Sequence, residues 1–131
     1  MSDLNTFSRE LDRAFEKNFK LSEQIVRKVA FDGHREIVRQ TPKDTGRAQA
    51  NWQIEINGAN DSEVDSVSPP DEERDKLSSV KLGDVIHIFN NVEYILPLEF
   101  DHASKQVPAS GWVRSEAIRV ENKLSEALKA I

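Results

Sequence analysis

A single stripe of apolar and small residues constrains this chain more than any other feature. Leu4, Phe7, Leu11, Phe15, Phe19, Ser22, Val26, Val29, Gly33 and Ile37 follow one another at steps of three or four. That spacing lines one face of a helix. Ala14, Ile25, Ala30 and Val38 widen the stripe, while Arg9, Glu10, Arg13, Glu16, Arg27, Lys28, Arg35 and Glu36 populate the other face. An unbroken helix over residues 3–40 would be roughly 55 Å long at about 1.5 Å per residue. A domain of 131 residues is narrower than that. Either the helix breaks near Asn18–Leu21, which is the expectation here, or one end projects and packs on a neighbour. Gly33 lies on the stripe. It is either a local weakness, costing about 1 kcal/mol against alanine, or a place where another backbone comes close.

Thr41-Pro42 ends the helix, because proline disfavours helical geometry in the residue before it and has no N–H. Asp44-Thr45-Gly46 supplies turn chemistry: Asp44 can accept from nearby backbone N–H groups and Gly46 can take positive φ. Ala48–Asn57 reads as a strand, with Trp52, Ile54 and Ile56 on a buried face and Gln53, Glu55 and Asn57 on a wet one. Asn57-Gly58 is a turn signal. Residues 59–80, rich in Ser, Asp, Glu and Pro, read as a mobile, solvated acidic loop. Val85–Phe89 form a second strand that pairs with the first. Residues 94–100 read as a short helix or irregular segment around Pro97, and 101–110 as a polar loop ending at Ser110, a possible helix cap. Ala117, Val120, Leu124, Ala127 and Ile131, broadened by Ile118 and Leu128, then mark a closing amphipathic helix. The expected fold is α+β: one domain over residues 1–131, with a long N-terminal and a C-terminal helix packed on a small antiparallel sheet. So small a sheet leaves exposed edges, which argues for pairing with other subunits.

Composition narrows the chemistry. The chain has no cysteine, so disulfides, thiolate metal sites and thiol catalysis are excluded. The net charge is −5, and residues 61–76, with seven carboxylates against two bases, hold all of it. The remainder is neutral, without the basic excess of a nucleic-acid binder. No apolar run reaches the roughly 20 residues of a membrane span, and Met1-Ser2-Asp3-Leu4-Asn5 does not read as a secretion signal. His34, His87 and His102 fall on a helix, a strand and a loop with no ligand spacing. His34 reads as a helix-surface residue and His87 as one on the wet or dimer face of its strand. Asp44-Thr45-Gly46 matches the tripeptide around the catalytic carboxylate of aspartic proteases, but here it follows the end of a helix rather than an apolar strand. Trp52 and Trp112 read as core or interface anchors.

Two segments carry a resemblance. Thr41-Pro42-Lys43-Asp44-Thr45-Gly46-Arg47 is followed by Ala50-Asn51-Trp52. Asn90-Asn91, Tyr94-Ile95 and Leu98-Glu99-Phe100 are followed by Ser104-Lys105-Gln106 and Pro108. In this order they resemble the minor tail, tail-completion or neck proteins of tailed double-stranded DNA phages. Asp101 stands where that family usually has glycine. The resemblance implies a structural virion protein at the head–tail joint, assembled in the host cytoplasm, with no reaction and no cofactor or metal. Its subunits are expected to form a ring, of six-fold order, among other neck, connector and tail proteins. Genomic DNA would pass through the ring without sequence-specific binding, and no membrane is involved. On this reading Thr41, Pro42, Asp44, Thr45, Gly46 and Arg47 fix the turn and position the sheet, with Trp52 as an anchor. Tyr94, Leu98 and Glu99 would pack that turn or face a neighbour. The competing reading is an adaptor whose acidic loop docks on a basic partner.

Overall fold

The structure is a computed structural model, which describes residues 2–43, 45–93, 95 and 112–130 (of residues 2–4 the backbone alone). Helix α1 runs unbroken over Ser2–Gln40. The expected break near Asn18–Leu21 is absent. Residues 8–29 contain no proline or glycine, the usual causes of a kink. Thr41-Pro42 follows, and its backbone stops the helix as anticipated.

The proposed strand Ala48–Asn57 divides in two. Arg47–Ala50 form a one-turn helix, α2, and only Gln53–Ile56 form strand β1. Ala48 of α2 packs against Ile37 and Val38 of α1, and Ala50 is buried as well. Strand β2, Ile86–Phe89, pairs antiparallel with β1, placing Ile54 opposite Ile88 and Ile56 opposite Ile86. Asn57 takes φ 62°, but the chain does not turn directly into β2. A 3₁₀ helix, Asp71–Ser79, intervenes. Residues 59–80 are therefore not all solvated loop, because Leu77 and Val80 are buried against Ala30 and Ile54. Two isolated apolar side chains among many acids left little periodic signal. Helix α3, Trp112–Lys129, packs along α1.

Two apolar clusters result. Ile37, Val38, Ala48, Trp52 and Trp112 form one, with the two indole rings edge to face at 6.3 Å. Ala30, Ile54, Leu77 and Val80 form the other. Gly33 is indeed a close approach, but of a side chain: a Cβ there would lie 2.9 Å from Val120 Cγ2 of α3. Ile118, expected to broaden the buried face of α3, points outward. The outer edge of β1 is also less open than expected. At Ile54, Glu73 Oε1 accepts from the backbone N–H at 3.2 Å and Lys76 Nζ donates to the carbonyl at 2.9 Å. Side chains of the 3₁₀ helix thus do the work of a neighbouring strand.

Candidate functional site

The turn after α1 is densely hydrogen-bonded. Thr41 is buried, and its hydroxyl donates to the Ile37 carbonyl at 2.6 Å while accepting from Trp52 Nε1 at 2.8 Å. Gln49 Nε2 reaches back to the carbonyls of Val38 and Thr41 at 3.1 and 3.0 Å, satisfying groups that every helix end leaves open. Pro42 is buried beside Thr41. Thr45 accepts from the Arg47 N–H at 3.2 Å, and Arg47 pairs with Glu63.

Gly46 has a sharper requirement than its turn. Its φ is 94°, and a Cβ would sit 2.4 Å from the carbonyl oxygen of Val67. The glycine therefore lets a second backbone segment cross the turn. That segment is fastened by Asn51, which donates to the carbonyls of Arg47 and Val64 and accepts from the Val64 N–H at 2.6 Å. Gln53, expected on a wet face, is buried because its Nε2 donates to the Ser62 carbonyl at 3.0 Å.

The second resemblance segment meets the first here. Asn90 Nδ2 donates to the Ala48 carbonyl at 2.8 Å, and Asn91 Nδ2 donates to those of Asn60 and Ser62 at 2.6 and 2.9 Å. The Asn-Asn pair thus ties the end of β2 to α2 and to the start of the acidic stretch. Asp44, Tyr94, Leu98 and Glu99, together with Ser104, Lys105, Gln106, Pro108 and the Ser110 cap, lie outside the described residues.

His34 is the site residue that the sequence reading misplaced. It is fully buried, not on the helix surface. Arg74 Nε can only donate, and it lies 3.0 Å from His34 Nδ1, so that nitrogen accepts. Nε2 then carries the proton and donates to the Trp52 carbonyl at 2.8 Å. Burial holds the imidazole below its ordinary pKa, against the raising effect of that carbonyl, and the Arg74 charge adds to the lowering. A buried histidine on a helix stripe has no sequence mark that distinguishes it from an exposed one. Its partner Arg74 is 40 residues away, in a stretch read as loop.

This is an arrangement for holding chain segments together. Among the described residues no group of histidine and carboxylate side chains could hold a metal ion, and no helix is long and apolar enough to cross a membrane. Comparison with known proteins returns nothing: no family model matches this chain, and no curated protein or solved structure is similar to it.

The junction is not the only candidate surface. Residues 5–21 of α1 are exposed at every position. Phe7, Leu11, Phe15 and Phe19 on this arm are 62, 43, 62 and 60 % exposed. They continue the stripe that, from Val26 onward, packs against the rest of the chain.

Proposed function

We propose that this chain is a structural subunit of a tailed-phage virion, working at the neck or tail end by assembling with copies of itself around the DNA passage. The observation that carries the reading is the bare arm. A row of large apolar side chains along a bare helix face costs solvation until something covers it. Surfaces completed only by assembly are what a ring-forming subunit needs, through head-to-tail contacts that close. The ordered resemblance around Thr41–Arg47 and Asn90–Asn91 supports the phage context.

The adaptor reading has less behind it. Within the acidic stretch, Glu63 is already paired with Arg47, Asp71 with Arg74 and Glu73 with Lys76. The test is sedimentation of the purified chain over a wide concentration range, with electron microscopy of any assembly, alone and with neck components. Concentration-dependent growth to a closed ring is the expected result. A chain that stays single under all these conditions would overturn the reading.

A further inference from the structure

What covers the arm can be argued from its own chemistry. At 3.6 residues per turn, Arg9, Arg13, Lys17 and Lys20 fall on the face opposite the phenylalanines. Carboxylates edge the apolar stripe instead. Glu10 lies three residues from Phe7, Asp12 three from Phe15, and Glu16 three from Phe19, so each acid is a surface neighbour of one ring. Glu16 also pairs with Lys20 at 3.4 Å, with both side chains largely exposed. Two such arms laid together would bring acid against acid. A lipid surface would likewise meet carboxylates at the edge of the stripe, where an interfacial helix presents cations to anionic lipid.

The body offers the complement. A cleft of about 620 Å³ lies between α1 and the 3₁₀ helix. Its walls are mostly apolar and include Phe31 and Leu77, while Arg27, Lys28 and Arg74 supply positive charge and Asp75 is the only lining carboxylate among the described residues. The Phe31 ring carries the Arg74 guanidinium at 5.4 Å. Each cation already has an acceptor in its own chain: Arg27 has the Val80 carbonyl, Lys28 has Asp32 and Arg74 has Asp71. Incoming carboxylates would join these networks rather than replace them.

We propose that the carboxylate-edged phenylalanine stripe of one copy docks into the cation-lined cleft between α1 and the 3₁₀ helix of a second copy. Docking of this kind presupposes the self-assembly proposed above and gives it an address. The arm cannot reach its own cleft, because both belong to one unbroken helix. Helical periodicity also puts Gln24, Arg27, Lys28 and Phe31 on the opposite face of α1 from the stripe. The contact is therefore heterologous, and repeating it adds copies in one direction until the rotation closes. The stripe offers on the order of 450 Å² of apolar surface, taking about 200 Å² per large aromatic side chain. With its polar flanks it approaches the roughly 800 Å² per partner of a stable interface.

Complementation tests this. Phe15→Ser removes an exposed arm side chain, and Lys28→Glu reverses an exposed charge at the cleft, so neither threatens the fold, which circular dichroism checks. Each variant alone should associate at least about tenfold more weakly than the parent chain in sedimentation velocity. Mixed in equal amounts they should form a dimer and stop there, since one supplies the intact cleft and the other the intact arm. If Lys28→Glu assembles like the parent, the arm binds elsewhere, and the cleft is refuted while self-assembly stands. If the parent chain is monomeric throughout, both proposals fail. Phe15-dependent binding to phosphatidylcholine–phosphatidylserine vesicles without self-association would also overturn the docking and point to lipid.

Discussion

The two halves of α1 share one helix and one periodicity, yet they live in different environments. From Val26 to Ile37 the stripe is covered by α3, the sheet and the 3₁₀ helix, and it holds a buried histidine and a glycine that admits Val120. From residue 5 to residue 21 every position faces solvent. Amphipathic spacing therefore says that a face must be covered but not by what. The body half is covered from within the chain; the arm half is bare in the single chain and is the surface that the proposed assembly would cover.

Substitutions sharpen that contrast. The largest effect is expected just beyond the body half, at Gly46→Ala. A side chain there meets the Val67 carbonyl and must hold positive φ, so the cost should be about 3–5 kcal/mol in urea unfolding. Gly58→Ala, where nothing lies within 4 Å, is the control and should be near neutral. Next comes a matched pair on the stripe itself. Ile37→Ala should cost about 2–4 kcal/mol, while Leu11→Ala should change monomer stability by less than about 0.5 kcal/mol. Equal losses at the two positions would break the comparison, because they would mean that the arm is buried in the monomer. Thr41→Val removes one donor and one acceptor from the Ile37–Trp52 link, and about 1–3 kcal/mol should be lost.

The smallest effect is in pH. His34 is held neutral below its ordinary value of 6.5. As pH falls below 6.5 the unfolded chain takes up a proton that the folded chain resists. Stability should therefore be complete above that pH and decline below it until the folded histidine titrates. Comparing denaturation midpoints at pH 7 and pH 5.5 in the parent chain and in His34→Gln isolates the histidine, because only the parent should lose its contribution on acidification.

The two long helices and the middle of both strands were readable because their signals are local: a stripe at steps of three or four, and β-branched runs beside a turn. Much of the junction was not. Thr41, Pro42 and Gly46 were recognisable from helix-stop and turn chemistry and Trp52 as an anchoring aromatic, while their grouping as a site came from the family resemblance. Gly46, however, needs its glycine as much for Val67, twenty-one residues away, as for the turn. His34 and Arg74, Gln53 and Ser62, and Asn91 and Asn60 are all pairings across sequence distance, where residue type gives no hint of partner. The 3₁₀ helix escaped because it buries Leu77 in an acidic stretch whose composition reads as solvated.

The clasp by Asn51 has a consequence for amide exchange. The Val64 N–H lies in no helix or strand, yet Asn51 Oδ1 holds it at 2.6 Å, and Asn51 itself is fully buried. Deuterium should enter that amide slowly, on the schedule of β1 rather than that of the residues beside it. A lone protected position in an otherwise fast-exchanging run would mark where side-chain amides pin a stretch of backbone that has no ladder of its own.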